Sequence, residues 1–186
     1  MTHDLADKKV AFLVAPEGVE QVELTQPWEA VKQAGGTPIL VSTALGKVQA
    51  YHHLTPGDVF EADVAADDAD VVDYVGLVLP GGVANPDQLR TDSDAVAFVK
   101  SFFDTGKPVA VICHGPWTLI EADVVEGREL TSWPSVRTDI LNAGGSWVDD
   151  EVVVCSAGPN TLISSRNPDD LPAFCASTVA VFGASG

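Results

Sequence analysis

Four short apolar runs, separated by segments of helical periodicity, constrain this chain more than any other feature. They are Lys9-Val-Ala-Phe-Leu-Val-Ala15, Pro38-Ile-Leu-Val-Ser42, Val75-Gly-Leu-Val-Leu79 and Val109-Ala-Val-Ile112. Each is too short for a buried helix, and each is nearly unbroken in its hydrophobicity. That pattern predicts strands covered on both faces. After the first run, Leu24, Trp28 and Val31 recur at helical spacing, with Pro27 early in the segment and Gly35-Gly36 ending it. Asp92 or Ser93 caps a second helix that carries Val96, Val99 and Phe103 on one face, and Gly106 and Pro108 stop it. Helices are also predicted over Trp117–Ala122 and Ser135–Ala143, and from near Pro172 to about Phe182. Two strands, Glu151–Cys155 and Thr161–Ser164, flank a turn at Ala157-Gly-Pro-Asn160, and Gly46–Val64 is irregular with room for a hairpin. Such alternation predicts one α/β domain over residues 9–186, behind a tail at 1–8. Its sheet is mostly parallel, with helices on both faces.

Composition narrows the possible partners. A net charge of −17 repels nucleic acid and anionic membrane, so neither is expected to bind. The acids of Asp58–Asp70 lack calcium-loop spacing and read as a solvated edge. No apolar stretch is long enough for a membrane span, and the first nine residues carry no secretory core. Three cysteines, Cys113, Cys155 and Cys175, do not make a disulfide framework. The four histidines are His3, His52, His53 and His114, and none has zinc-ligand spacing. A reduced cytoplasmic protein with neither metal nor cofactor is the expectation.

In parallel sheets, chemistry gathers at the carboxyl ends of strands. Three segments meet that description: Pro16–Glu23, Pro80-Gly81-Gly82 and Cys113-His114-Gly115. A cysteine at a sharp strand-to-helix turn reads as a nucleophile elbow, its sulfur exposed above the sheet edge. The following helix terminus would favour the thiolate. Cys155 in a strand and Cys175 in the last helix read as packing residues, leaving Cys113 as the reactive thiol. Gly81-Gly82 is a tight turn or, beside such a cysteine, a source of oxyanion-hole amides. Glu17, Glu20 and Glu23 either complement a helix dipole or, for one lying near the sulfur, stabilise a thiolate and shuttle a proton. His114 is the only histidine expected near the site and so the only imidazole available as a base, although adjacent side chains at a turn can diverge.

These segments resemble the DJ-1/PfpI superfamily, on the branch of PfpI-type intracellular proteases (peptidase family C56) and general stress proteins. The resemblance rests on Val19-Glu-Gln-Val-Glu-Leu24 with Pro27, Leu79-Pro-Gly-Gly82 and Ala110-Val-Ile-Cys-His-Gly-Pro116. It extends through Thr131-Ser-Trp-Pro134, Arg137, Asn142-Ala-Gly144 and Trp147-Val-Asp149. It implies a flavodoxin-like three-layer sandwich with Cys113 as nucleophile and Glu23 as the carboxyl on its sulfur. It further implies His114 as base, and Gly82 and His114 as oxyanion-hole amides. Asp87 matches a carboxylate that acts from a neighbouring subunit, one methylene shorter here, so a homodimer or larger homo-oligomer is implied. Trp133 stands where archaeal relatives carry tyrosine. The implied activity is a stress-response cysteine hydrolase acting on peptides or on methylglyoxal-type adducts, with a small carbonyl or peptide as substrate. The alternative is a redox sensor or holdase chaperone without turnover. A glutaminase is disfavoured because no histidine follows His114.

Overall fold

The computed structural model describes residues 5–185. The first four residues of the expected tail, His3 among them, lie outside that range. Leu5 is fully buried, and its N–H donates to the Ala34 carbonyl at 2.9 Å.

The chain runs through β1 (Lys9–Val14), β2 (Glu17–Glu20), α1 (Gln21–Gln33), β3 (Thr37–Ser42), β4 (Lys47–His52), β5 (Thr55–Glu61), β6 (Val64–Ala65) and β7 (Gly76–Leu79). It continues through α2 (Ala84–Leu89), α3 (Ser93–Asp104), β8 (Val109–Ile112), α4 (Pro116–Glu121), β9 (Glu129–Leu130) and α5 (Arg137–Asn142). It ends with β10 (Ser146–Trp147), β11 (Val153–Cys155), β12 (Leu162–Ser165) and α6 (Leu171–Ala184). The main sheet has the order β11-β12-β8-β7-β1-β3-β6, and all its pairings are parallel except that of edge strand β11 with β12. Counting β1, β3, β7, β8 and β12 as one to five, their order is 2-1-3-4-5, the flavodoxin-like winding.

Alternation along each strand explains the burial. Ala11, Leu13, Leu77, Leu79, Val109 and Val111 face a core shared with Phe98 and Phe102 of α3. Val10, Phe12, Val14, Val78, Ala110 and Ile112 face the opposite core, with Leu24 and Val31 of α1 and Phe174 and Phe182 of α6. A strand with both faces covered has no polar side, which is why these runs read as continuous hydrophobics.

Several elements depart from the expectations. The irregular stretch at 46–64 contains the β4–β5 hairpin, and β2 joins it in a three-stranded sheet of its own. Helix α5 is shorter than expected, because Pro134–Val136 forms a 3-10 turn before it. Strand β11 begins two residues later than the sequence suggests.

Both cores depend on aromatic anchors. Replacing fully buried Phe182 by alanine should cost about 3–5 kcal/mol, the usual range for a core phenylalanine. Leu54→Ala, at the 93% exposed tip of the hairpin, should change stability by no more than about 0.5 kcal/mol. Urea unfolding of the two variants checks the contrast.

Candidate active site

The main sheet reverses its winding between β1 and β7, and the carboxyl ends of its central strands open there. Chain segments leaving β1, β7 and β8 deliver Glu23, Gly81-Gly82 and Cys113 to one edge. This convergence builds the site.

Cys113 has φ +63°, a left-handed backbone that a residue with a β-carbon adopts only under constraint. The constraint is visible. Cys113 N–H donates to the Ser165 carbonyl at 3.1 Å, and the Cys113 carbonyl accepts from Trp133 N–H at 2.9 Å. The expected elbow is present, but the sulfur is not exposed above the sheet edge. Cys113 is only 6% exposed and forms the floor of a cleft of about 840 Å³. Loops after β1, β7 and β8 rise around it, so the side chain ends below their rim.

Glu23, in the first turn of α1, is fully buried. Its Oε2 accepts from Gly81 N–H at 2.9 Å, and its carboxyl also meets the Cys113 sulfur. Its other oxygen, Oε1, is buried without a hydrogen-bond partner. A carboxylate in that setting is costly, and desolvation pushes the Glu23 pKa up to about 8. The Cys113 thiol is also pushed up, first by desolvation and then by the negative charge of Glu23, against the pull of the Gly82 and His114 amides. Burial therefore outweighs the thiolate-favouring helix terminus expected from the sequence. The two groups do not readily ionise together, so they titrate as a pair. With Glu23 protonated, its charge no longer opposes the thiolate and its O–H becomes a donor for the sulfur.

The paired glycines divide the work. A β-carbon on Gly81 would lie 2.5 Å from both Cys113 Cβ and Glu23 Oε2, so only glycine lets this backbone pass between them. Gly82 has φ +82°, and a β-carbon there would strike the Gly18 carbonyl. Gly81 N–H is committed to Glu23, whereas the Gly82 and His114 amides bear on Sγ. Asn85 fixes the turn. Its side chain donates to the Pro80 and Gly81 carbonyls at 3.0 and 3.1 Å and accepts from Ala15 N–H at 2.7 Å.

The His114 side chain turns toward the sulfur rather than away. Nδ1 stands 3.2 Å from Cys113 Sγ, and Nε2 stands 3.4 Å from Ser135 Oγ. The ring stacks on Trp133 at a centroid distance of 5.6 Å and meets the edge of Trp117 at 5.2 Å. Desolvation lowers its pKa, which favours neutral imidazole. His114 is not alone near the site, as the sequence suggested. His53 also lines the cleft, with its backbone N–H bonded to Glu20 Oε2 at 2.9 Å. The side chain of Glu20 thus ties the hairpin to β2 instead of capping α1. Asp87, in the first turn of α2, lines the cleft of its own subunit, and no hydrogen bond joins it to His114 among the described residues. Among the described residues, no cluster of three or more His, Cys, Asp or Glu is arranged to hold a metal ion. Nor is any helix long and apolar enough to cross a membrane.

Residues 8–181, spanning every element from β1 into α6, match the DJ-1/PfpI family. The chain belongs to this family. It is 40% identical over 174 residues to General stress protein 18 of Bacillus subtilis, covering 94% of this chain and 97% of that protein. It is 39% identical over 181 residues to Protein/nucleic acid deglycase 2 of Escherichia coli, covering 95% and 99%. Among solved structures, Schizosaccharomyces pombe DJ-1 superposes with a TM-score of 0.79 at 23% identity, covering 92% of this chain and 90% of that one. That last likeness concerns the fold. The family's relatives thus include proteins named as deglycases and as a stress protein, and such names suggest hydrolase activity in the DJ-1/PfpI family.

Ser135, Asn85 and His53 are site residues that sequence reasoning missed. Ser135 directly follows the Thr-Ser-Trp-Pro segment, which was a usable signal. Asn85-Pro86 looks like an ordinary turn, and His53 reaches the cleft only because the hairpin folds over it.

The raised pKa of Glu23 gives a test with an unusual sign. Between its ordinary 4.5 and about 8, the folded chain retains a proton that the unfolded chain has lost. Folding stability should therefore fall as pH rises through that window, by at most about 1.4 kcal/mol per pH unit, and level off above it. Glu23→Gln should flatten this component. Urea midpoints of both proteins across the window measure the difference.

Proposed function

We propose that the protein is a cysteine hydrolase of the PfpI type that acts on reactive carbonyl adducts, as a deglycase or glyoxalase-like enzyme of the stress response. The observation that carries this reading is the set of groups converging on one buried sulfur. Cys113 Sγ has the Glu23 carboxyl, His114 Nδ1 and the Gly82 and His114 amides around it. In this reading Cys113 is the nucleophile, Glu23 and His114 carry protons, and the amides of Gly82 and His114 stabilise the developing oxyanion.

The chemistry balances without an added oxidant or reductant. Sγ attacks the aldehyde carbon of a 2-oxoaldehyde as its proton passes to neutral His114 Nδ1, an S–C bond forms, and the carbonyl π pair moves to oxygen, which takes a proton from Glu23. The Glu23 carboxylate then takes the proton from the sulfur-bearing carbon while the neighbouring carbonyl oxygen gains one, giving an enediol; a proton returns to the neighbouring carbon as the hydroxyl on the sulfur-bearing carbon loses its own, giving a 2-hydroxy thioester. Water cleaves the S–acyl bond, releasing a 2-hydroxy acid and restoring the thiol. A sulfur only 6% exposed favours a carbonyl at the end of a small molecule or side chain. A peptide amide flanked by chain on both sides needs a more open floor.

Purified protein should consume methylglyoxal and form lactate, with the rate falling at least about 100-fold in Cys113→Ala and in Glu23→Gln, the scale of positioned acid–base and nucleophilic catalysis. A fluorogenic peptide should be cleaved far more slowly. Cys113-dependent peptide cleavage with no methylglyoxal turnover would replace this reading by a peptidase. Absence of both, with peroxide-dependent client binding, would replace it by the sensor or holdase.

The proposal includes a cytoplasmic homo-oligomer in which Asp87 of one subunit orients His114 of another. It is motivated by the resemblance of Asp87 to a family carboxylate contributed by a neighbouring subunit and by the place of Asp87 on the cleft that His114 also lines. Mixing Cys113→Ala chains with Asp87→Ala chains should then restore activity that neither has alone. Full activity of Asp87→Ala by itself would show that each subunit is self-sufficient.

A further inference from the structure

The His114 ring makes one polar side-chain contact through each nitrogen among the described residues. Nδ1 stands 3.2 Å from Cys113 Sγ, and Nε2 stands 3.4 Å from Ser135 Oγ. Around it, Trp133 stacks on the ring and Trp117 meets it at an edge, with the Trp117 indole N–H already committed to Asp139 Oδ2 at 2.8 Å. Burial favours the neutral ring. A neutral imidazole carries a single proton, so one nitrogen donates and the other accepts. The partner of Nε2 therefore decides what Nδ1 can do for the sulfur.

Ser135 is held at that nitrogen by the elbow itself. Trp133 N–H donates to the Cys113 carbonyl at 2.9 Å, and Val136 N–H donates to the Trp133 carbonyl at 3.0 Å, closing the 3-10 turn that contains Ser135. The serine is exposed, so its own O–H can point to water and its oxygen is free to accept. The sulfur end fixes the direction of donation. The Gly82 and His114 amides already bear on Sγ, and the Glu23 carboxyl, held protonated by burial, adds an O–H. An N–H on Nδ1 would be one more donor against a thiol and would leave its proton no imidazole to pass to. With the proton on Nε2 instead, every group donates to the next: Glu23 O–H to Sγ, S–H to Nδ1, and Nε2–H to Ser135 Oγ.

We propose that Ser135 is a positioning residue of this site, whose hydroxyl oxygen accepts the Nε2 proton of His114 and so keeps the Nδ1 lone pair on Cys113 Sγ. The proposal rests on the reading of Cys113 as nucleophile and His114 as its base. Ser135 does not touch the sulfur and acts through the ring alone. A carboxylate of another subunit reaching the same nitrogen favours the same tautomer, but within a single chain Ser135 is enough to select it.

Nitrogen NMR of protein carrying isotope-labelled histidine tests this at neutral pH, because neutral tautomers differ in which ring nitrogen carries the proton. The chain has only four histidines, and His114→Asn assigns the His114 signals by their loss. His114 should carry its proton on Nε2. In Ser135→Ala the two ring-nitrogen shifts should move toward each other as both tautomers are sampled, and Ser135→Thr, which keeps the hydroxyl, should restore them. Alkylation of Cys113 by iodoacetamide should slow about fivefold to tenfold in Ser135→Ala, the rate equivalent of one ordinary hydrogen bond, and recover in Ser135→Thr. A proton on Nδ1 in the unsubstituted protein would overturn the proposal. So would unchanged shifts and alkylation in Ser135→Ala, and loss of the Nε2–H tautomer in Asp87→Ala would give the role to Asp87 instead. Neither measurement uses a carbonyl substrate, so failure of the hydrolase reading and failure of this one are told apart.

Discussion

The left-handed backbone at Cys113 is the constraint on which the rest of the site depends. A non-glycine residue held there costs on the order of 1–3 kcal/mol and persists only where its surroundings over-determine it. The Ser165 carbonyl and the Trp133 amide grip Cys113 from two other segments. One comes from β12, beside β8 in the sheet, and the other from the loop that carries Trp133 and Ser135. The same peptide geometry that turns the chain out of β8 therefore brings His114 between Trp117 and Trp133 and sets its Nδ1 on the sulfur. Relaxing the turn would move all of these groups together.

Fixing the sulfur fixes the requirements on its neighbours. Gly81 has no side chain because Cys113 and Glu23 occupy the space one would need. Glu23 is buried because α1 must pack its apolar face on the sheet, and the acid shares that face with Leu24, Pro27 and Val31. Burial is what raises its pKa, so the proton that Glu23 offers near neutral pH is a consequence of helix packing. The site thus draws its proton chemistry from the same desolvation that stabilises the core.

The same dependence on packing separates what could be read in the sequence from what could not. The parallel sheet was legible because β1, β3, β7 and β8 are covered on both faces, and runs so short and so continuously apolar fit few elements besides a buried strand. Cys113 was legible because an apolar strand stops at it and glycine follows. Glu23, Gly82 and His114 came from motif resemblance, and the pattern alone could not choose Glu23 over Glu17 and Glu20. What escaped depends on contacts between segments distant in sequence. The β2-β4-β5 sheet includes a strand of four residues, and β5 contains Pro56 and Gly57 with mostly exposed positions, so its period-two signal is weak. The His114–Ser135 contact joins a loop to the elbow across 21 residues. The burial of the sulfur arises from loops that rise above the sheet edge, which strand patterns do not encode.

Cys113 and Cys155 show the limit of burial as a guide to reactivity. Both are 6% exposed and both lie at strand ends, so burial alone would treat them alike. The difference is the sign of the charge enclosed with each. Cys113 shares its space with a carboxyl, and its ionisation waits on that group holding a proton. Cys155 lies near Arg128 and the amides of Glu129 and Ala157, whose pull outweighs desolvation and holds its pKa below the ordinary thiol value. Turn geometry, which made Cys113 conspicuous in the sequence, governs where a sulfur is placed and what can reach it. The neighbouring charge governs which protonation state it adopts once there. A thiol buried beside a cation can therefore be the more readily ionised of the two without any motif to announce it.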